Sequence, residues 1–283
     1  MNSLPLAPRR AAQASSATLY SNRRTLARIH VPHRDHIYFF QLGSYVYTTA
    51  RLSFPLTARP HAVLLFSIDG APMQLEASGQ SFVGSAFAVA PQTLRRLRMA
   101  SPGLISMNLS PPCLSYTCFR GIATPGVHVL NRTAFSAFDD DFAALYHGLG
   151  KSAGTEAMFR ELLSTVQAQL PAAPPVDERV PRMLEFIDSR ASVSLADVAE
   201  AFDLSYHRAS HLFSASVGLS FKAYQAWRKQ LRVCSLLYSG SSLTTVANDA
   251  DLTDSAYLSR YYQQWFGQSP SYSRNPELVQ IFS

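Results

Sequence analysis

Apolar residues in the last third of the chain recur at the three- and four-residue steps of an α-helix, and the pattern occurs twice. The first copy contains Leu195, Val198, Ala199 and Phe202, and the second contains Leu243, Val246, Ala247 and Ala250. Corresponding residues are 48 positions apart up to the turn and 49 apart beyond it, where Gly218 matches Gly267. A repeat this regular predicts one supersecondary unit that is built twice.

Polar residues mark the ends of the predicted helices. Ser194 and Ser242 stand just before the apolar runs, where a hydroxyl accepts a hydrogen bond from a free backbone N–H. Ser205 and Thr253 are predicted to be the N-caps of the second helix in each copy. Each copy then has two helices around a tight turn, which predicts helix-turn-helix units at residues 195–217 and 243–266.

The turn within each copy is predicted at an aspartate, which is Asp203 in the first copy and Asp251 in the second. Aspartate tolerates the left-handed backbone conformation better than most residues other than glycine. We therefore expect a positive φ at both positions. The alternative for Asp251 is that its side chain caps the helix that follows.

Residues 221–238 lie between the two units and have an apolar face with steps of three or four, which predicts a long connecting helix. A helix of about 18–20 residues is roughly 30 Å long, and one turn of B-DNA is about 34 Å. This length would let the two second helices enter successive major grooves on one side of the duplex.

The first half of the chain has a different pattern of short apolar runs, at residues 37–42, 45–52, 61–68, 82–89 and 104–109. Glycine and proline separate these runs, which predicts an antiparallel β barrel or jelly roll. Apolar stripes at residues 135–148 and 155–170 predict two helices, and a Pro/Ala segment follows them. The predicted fold class is α+β, with an arm at residues 1–28, a β-domain at 29–134, a helical connector at 135–170, a linker at 171–176 and a helical domain at 177–276.

Two sets of residues carry a resemblance to a known family. The first-copy set is Ser194, Leu195, Val198, Ala199, Leu204, Ser205, His211, Leu212, Phe213, Gly218 and Ser220. The second-copy set is Leu258, Ser259, Arg260, Tyr262, Phe266, Gly267, Ser269 and Pro270. With these residues the last third of the chain resembles the AraC/XylS family of bacterial transcription regulators. Two positions depart from the family pattern: Asp251-Leu252 replaces a usual Gly-Phe, and His211 replaces a usual arginine.

The resemblance implies a regulator that binds double-stranded promoter DNA and works with RNA polymerase, without a cofactor. It also implies a cupin-like β-domain, control by a small-molecule effector, and connector helices that pair two subunits into a homodimer. The apolar stripes of the connector fit packing on the chain's own barrel equally well, so both arrangements stay open.

The resemblance also points to the residues that contact DNA bases. In the first unit they are Tyr206, His207, Ser210 and His211, and in the second they are Ser255, Ala256, Ser259 and Arg260. Arg260 is predicted to make a bidentate contact with guanine, and the alternative for it is a phosphate contact. The aromatic residues Phe213, Tyr262, Trp265 and Phe266 lie on the apolar stripe and are predicted to be core.

The distribution of charge predicts which stretch of the helical domain faces DNA. The net charge of +6 favours a polyanionic partner only loosely, because residues 176–283 hold 10 basic and 11 acidic residues. Residues 204–248 hold no acidic residue, which predicts that this stretch faces the DNA phosphates. Its predicted phosphate contacts are Arg208, Lys222, Arg228, Lys229 and Arg232.

The amino-acid composition favours a location in the cytoplasm. The three cysteines (Cys113, Cys118 and Cys234) are too few for a disulfide framework, which fits the reducing cytoplasm and a nucleoid-associated protein. No run of about 18 apolar residues occurs, so no membrane span and no membrane partner are expected. Residues 1–28 are rich in Arg, Ala and Ser, like a transit peptide, but a flexible arm is the simpler interpretation.

Other candidate chemistry gives weaker signals. His30, His33, His36 and His61 are a potential metal set, but a proline interrupts them and no acidic ligand accompanies His61, so no metal site is predicted. Five residues could meet an anion or be solvated strand-edge groups: Arg51, Arg59, His61, Arg95 and Arg96. The patterns of hydrolases and nucleotide-binding loops do not occur. Two classes remain, a DNA-binding regulator and a cupin-type enzyme or small-molecule-binding protein with a degenerate DNA-binding tail.

Overall fold

Two packed sheets form the first half of the molecule in the computed structural model, which describes residues 33–40 and 43–282. The strands are β1 (Asp35–Phe40), β2 (Ser44–Thr49), β3 (Ser53–Thr57), β4 (Ala62–Ser67), β5 (Met73–Ala77), β6 (Gln80–Gly84), β7 (Ala86–Val89), β8 (Arg95–Met99), β9 (Leu104–Leu109), β10 (Val127–Val129) and β11 (Val279–Phe282). The seven-stranded sheet has the order β10-β7-β4-β9-β2-β1-β11, and the four-stranded sheet has the order β3-β8-β5-β6. The predicted antiparallel β-domain is therefore confirmed.

The larger sheet is covered on both faces, which explains its continuous apolar runs. In β4, Val63 and Leu65 pack with Leu75 and Leu97 of the smaller sheet. Leu64 and Phe66 point to the other face and join the core under the helices. Strands buried on both faces lose the alternation of apolar and polar residues that marks a half-exposed strand. The sheet therefore lies between the second sheet and a helical layer.

Several strands were not predicted from the apolar runs. Residues 82–89 form two strands, β6 and β7, which end and restart around Ser85. Pro55 is one of the prolines between the predicted runs, but it lies within β3, an edge strand with an irregular register between Phe54 and Thr57. Proline is tolerated there because an edge strand leaves one row of backbone groups unpaired. The strands β5, β8, β10 and β11 also have no counterpart among the predicted runs.

Two α-helices follow the sheets, α1 (Asp139–Tyr146) and α2 (Ser152–Gln167), and 3₁₀ segments cover Leu114–Gly121 and Arg132–Phe138. The first predicted helix is thus partly 3₁₀. Phe142 and Leu162 are fully buried in the chain's own core, so the connector stripes pack on its own sheet rather than requiring a partner. Leu149, which follows directly after the first predicted stripe, is 74% exposed because the helix ends at Tyr146.

The remaining helices are α3 (Val180–Asp188), α4 (Leu195–Ala201), α5 (Tyr206–Val217), α6 (Phe221–Leu237), α7 (Leu243–Asp249), α8 (Ser255–Phe266) and α9 (Pro270–Ser273). The first helix-turn-helix, α4 and α5, shares one continuous core with α3, the start of α6 and the helical face of the large sheet. The second, α7 and α8, has a core of its own with the end of α6, built around Val233, Val246 and Leu258. The predicted long helix is confirmed to within one residue at its C-terminal end.

The β-domain and the helical domain pack as one compact unit from His33 onward. Residues 171–176 carry no regular secondary structure, and Arg120 holds them in place by donating to the carbonyls of Pro174 and Ala215. At the other end, β11 adds to the large sheet in parallel with β1, pairing Val279 with Asp35. Within the described ranges no helix combines the length and apolarity needed to cross a bilayer. The predicted arm at residues 1–28 lies outside the described residues.

The helix caps follow the prediction with one correction. Ser194, Ser205 and Ser242 each accept a hydrogen bond from the backbone of the helix that they precede. The N-cap of α8 is Asp254, whose carboxylate accepts from the N–H of Tyr257 at 2.6 Å, so the assignment of Thr253 was wrong. The reason is the extra residue after the second turn, which also shifts the repeat from 48 to 49 positions.

Replacing Ser194 by alanine should lower the free energy of unfolding by about 1 kcal/mol. Its Oγ accepts from the N–H of Asp197 at 3.2 Å, and its own N–H donates to the Asp197 carboxylate at 2.7 Å, so two free N–H groups depend on this capping box. Urea denaturation measures the change, and Ser192→Ala, an exposed serine outside the cap, is the matched control. Equal losses for the two variants would contradict the capping role.

Candidate nucleic-acid interface and interdomain cavity

The second helix of the first unit, α5, has one buried and one exposed face. Ala209, Phe213 and Val217 are buried, which fixes the helix against the core. Among the predicted base contacts, Tyr206, His207 and His211 are exposed and Ser210 is partly exposed, all on the opposite face. Amphipathic burial therefore orients the predicted residues to solvent without help from a ligand.

Helix α8 repeats this arrangement in the second unit. Leu258, Tyr262 and Trp265 are buried, while Ala256 and Arg260 are exposed. Ser255 and Ser259 are half-buried, and the Ser259 hydroxyl donates to the Ser255 carbonyl at 2.8 Å. The Arg260 guanidinium lies 5.9 Å from the centre of the Tyr257 ring and forms no ion pair with any residue that the structure describes. Its charge is therefore available to a partner.

The two turns have the same hydrogen bonding as well as the same sequence pattern. Asp203 has a φ of 50° and Asp251 a φ of 55°, which confirms the predicted left-handed conformation. In each unit the residue after the aspartate donates to a carbonyl five residues back, Leu204 to Ala199 and Leu252 to Ala247, both at 2.9 Å. Together with the i→i−3 bond from each aspartate N–H, this is a Schellman motif, which needs a residue with positive φ.

The basic residues separate into two groups. Arg208 and Lys222 are exposed near the starts of α5 and α6. The other three predicted phosphate contacts are engaged within the chain: Arg228 pairs with Asp188 at 3.4 Å, Lys229 donates to the Asp251 carbonyl at 3.1 Å, and Arg232 pairs with Asp251 at 3.3 Å. Both acidic partners lie outside residues 204–248, so the local charge pattern did not reveal them.

A cavity of about 380 Å³ lies between the β-domain and the second helix-turn-helix unit. Strands β1 and β2 form one wall, and α6, α8 and α9 form the other. Its lining is mostly apolar or aromatic and comprises Ile37, Phe39, Phe40, Gly43, Tyr45, Tyr47, Arg59, Leu231, Cys234, Ser235, Tyr238, Tyr262, Phe266, Gln268 and Ser273. Burial raises the pKa of the Cys234 thiol to about 12, so this group stays a neutral thiol at physiological pH. Sequence reasoning missed this site because its walls are far apart in the chain.

The residues considered for a metal site and for an anion site lie in several different places in the structure. The rings of His33 and His36 lie edge to face, with their centres 5.4 Å apart. The described residues contain no group of three potential ligands that could hold a metal ion. His30 lies outside the described residues. Arg51 is partly exposed and Arg96 is exposed, and their guanidinium groups lie 4.0 and 3.9 Å from the carboxylates of Asp35 and Glu76. By contrast, three residues of the predicted anion set are buried: Arg59, His61 and Arg95.

Comparison with protein families identifies the C-terminal part. A model described as a helix-turn-helix domain matches residues 198–275. The arabinose operon regulatory protein of Escherichia coli is 33% identical over 105 residues, which are 35% of this chain and 35% of that protein. The protein of the same name from Salmonella typhimurium is also 33% identical over 105 residues, 36% of its length. The chain thus spans about a third of the length of the curated relatives that it matches.

Comparison with solved structures extends the likeness to both domains. ToxT from Vibrio cholerae O395 covers 80% of this chain and 94% of its own, with a TM-score of 0.51 and 12% identity. A ToxT structure from strain SCE256 with an unsaturated fatty acid bound covers 80% and 92%, with a TM-score of 0.50 and 11% identity. At this identity the match concerns the fold, a β-domain followed by a helical domain.

Proposed function

The chain belongs to the AraC/XylS family of bacterial transcription regulators, and we propose that it binds promoter DNA sequence-specifically, with α5 and α8 in successive major grooves. The observation that carries the proposal is the duplicated unit, in which both second helices are fixed by the same turn geometry and expose the same face. Two rigid reading helices on one chain can contact two adjacent segments of one duplex.

The base contacts in this proposal are Tyr206, His207, Ser210, His211, Ser255, Ala256, Ser259 and Arg260. Arg260 has the strongest case, because its guanidinium forms no ion pair with a described residue and can donate two hydrogen bonds to guanine. His211 stands where the AraC/XylS pattern usually has arginine, so the first unit would read its bases through weaker donors and acceptors.

Arg208 and Lys222 are the proposed phosphate contacts that form no ion pair with any residue in the described ranges. Both are exposed and near helix N-termini, where backbone N–H groups also attract phosphate. We propose that Arg228 acts mainly by bracing α6 against α3, and that Lys229 and Arg232 act mainly by bracing it against the turn of the second unit, while all three add positive potential to the same face. The helical domain is nearly neutral as a whole, while the face proposed to contact the duplex is basic.

Substitution of Arg260 and Lys222 tests the proposal. Arg260→Ala should weaken binding to the preferred site about tenfold and leave binding to random duplex nearly unchanged, because base contacts specify. Lys222→Ala should weaken binding to both duplexes alike and lower the salt slope by about one, because it removes one phosphate contact. The preferred site comes from a genome-wide binding profile, and fluorescence anisotropy over a salt series gives the affinities. Equal loss on both duplexes for Arg260→Ala would place Arg260 on a phosphate, and no duplex binding at low salt would refute the function.

We also propose that the β-domain controls DNA binding through a small molecule in the interdomain cavity. Helix α6 supports the second helix-turn-helix unit, α8 is part of that unit, and both helices line the cavity. A molecule bound in the cavity would therefore influence the position of this unit. The ToxT structure with a bound fatty acid supports the idea that this two-domain architecture accommodates a small molecule. Contact with RNA polymerase and pairing with a second copy belong to the same proposal, and the connector stripes do not argue for pairing because they are buried within the chain.

A further inference from the structure

Two buried arginines lie inside the β-domain without an acidic partner. Arg59 is 8% exposed and Arg95 is 4% exposed. Arg59 donates to the side-chain oxygen of Asn108 at 3.0 Å, and Arg95 donates to the Thr93 carbonyl at 3.2 Å. Neither guanidinium forms an ion pair with any residue that the structure describes. The segments outside the described ranges contain no aspartate or glutamate, so no acidic side chain of this chain balances the two arginines.

The titratable groups around the two arginines supply no negative charge either. Burial raises the pKa of the Tyr45 hydroxyl and raises that of the Tyr47 hydroxyl well above its usual range, so both stay neutral. Burial and the Arg59 guanidinium lower the pKa of His61 to about 3, which makes this imidazole neutral. The same two causes lower the pKa of Arg95 to about 9, which leaves Arg95 a cation at neutral pH. Buried charges in proteins are normally paired, so the cluster lacks an anion.

Arg59 also has an unused hydrogen-bond donor. Its Nε is buried and has no partner of acceptable geometry among the described residues. The backbone at this position is fixed, because the Arg59 carbonyl accepts from the N–H of Gln92 at 2.7 Å. An unpaired buried donor is unfavourable, and this one belongs to a side chain whose charge is unpaired as well. Both observations indicate an acceptor that carries negative charge.

A cavity of about 20 Å³ lies between the two sheets, and both arginines line it. We call it the small cavity; it differs from the interdomain cavity, which Arg95 does not line. Thr57 and Ser106 also line the small cavity, and a hydroxyl can turn its hydrogen towards an acceptor there. A volume of this size holds one particle about as large as a water molecule. Carboxylates, phosphate and sulfate are therefore too large for it.

We propose that the small cavity binds a chloride ion between Arg59 and Arg95, as a structural anion of the β-domain. A water molecule would fit the volume but would not offset the charge, whereas an oxyanion would offset the charge but would not fit. Chloride satisfies both conditions, and charged donors in a buried site form strong hydrogen bonds. The ion stabilises the β-domain, and its binding does not depend on the proposed function in DNA binding.

The test measures the melting temperature of the full chain by circular dichroism while chloride replaces gluconate at constant ionic strength and pH. Chloride should raise the melting temperature by about 3 °C along a saturating curve, because an ion that binds the folded state stabilises it by mass action. Arg95→Met should melt at least as high as the parent in gluconate, since it removes an unbalanced buried charge, and should lose the response to chloride. Arg96→Met, exposed on β8 beside Glu76, is the matched control and should respond like the parent.

A second measurement on the parent protein locates the ion without a substitution. Crystals grown in bromide, which resembles chloride in charge and size, should show an anomalous-scattering peak in contact with both guanidinium groups. Equal melting temperatures of the parent in chloride and gluconate, or a chloride response that persists in folded Arg95→Met, would overturn the chloride site. A small cavity that holds a water molecule and gives no anomalous peak in bromide would overturn it as well.

Discussion

Replacing Asp35 by alanine is expected to lower the free energy of unfolding by about 3 kcal/mol and to loosen the second helix-turn-helix unit from the β-domain. The Asp35 carboxylate is buried and accepts from the hydroxyls of Tyr47 at 2.6 Å and Tyr272 at 3.0 Å. Gln268, at the end of α8, in turn donates to the Tyr47 hydroxyl. A hydrogen bond to a charged acceptor contributes about 1.5–3 kcal/mol, and the alanine variant leaves buried hydroxyls without their acceptor.

Asp69→Ala is the matched control for Asp35→Ala. Asp69 also accepts two serine hydroxyls, from Ser67 at 2.6 Å and Ser101 at 2.5 Å, but all its partners lie within the β-domain and it is exposed. Urea denaturation measures stability, and limited proteolysis at residues 171–176 reports on the packing between the domains. Only Asp35→Ala should speed cleavage under native conditions. Equal cleavage rates for both variants would show that the Asp35 cluster does not hold the domains together.

Replacing Asp251 by valine should destabilise the protein by about 2 kcal/mol, whereas Asp251→Gly should be neutral or stabilising. The φ of 55° at Asp251 places it in the left-handed region, which is unfavourable for a β-branched residue and free of strain for glycine. Replacement by glycine removes the backbone strain, but it also makes the unfolded chain more flexible, which offsets part of the stabilisation. Loss of the exposed Arg232 pair adds little in either variant.

Thermal melts of the Gly, Asn, Ala and Val variants at Asp251 measure the effect, with Asp249→Val as control. Asp249 is exposed at the end of α7 and has helical backbone, so valine there carries only a small propensity penalty. Because Asp254 caps α8, the alternative capping role for Asp251 is excluded, and Asn should behave like Asp. A Val variant at Asp251 as stable as the Gly variant would show that the turn does not depend on positive φ.

The helical domain was predictable because its information is local. Apolar spacing, serine caps and paired aspartates each specify a helix or its end within a few residues, and the repeat supplied each signal twice. The same locality explains the one misplaced cap at Thr253. The shift from 48 to 49 positions was visible in the sequence, and applying it to Ser205 gives Asp254.

The interdomain cavity and the burial of Arg59 and Arg95 were not predictable from the sequence, because burial in a sheet depends on residues that are distant in the chain. Arg95 and Arg96 are adjacent and alike in sequence, yet the pleat of β8 turns Arg95 into the core and Arg96 to solvent. The face that β8 turns towards the larger sheet depends on its pairing with β5, a strand that is distant from β8 in the sequence. Similarly, nothing near residues 279–282 indicates that they pair with β1.

The parallel pairing of β1 with β11 affects the order in which the protein can mature during synthesis. Asp35 and Tyr272, next to this pairing, are 237 residues apart, so at about 5–20 residues per second the ribosome needs roughly 12–50 s between them. During that interval β1 is the open edge of the large sheet, with backbone N–H and C=O groups available to strands of other chains. The edge of the nascent β-domain therefore stays open to other chains until β11 is made, and it closes only after α5 and α8 have been translated.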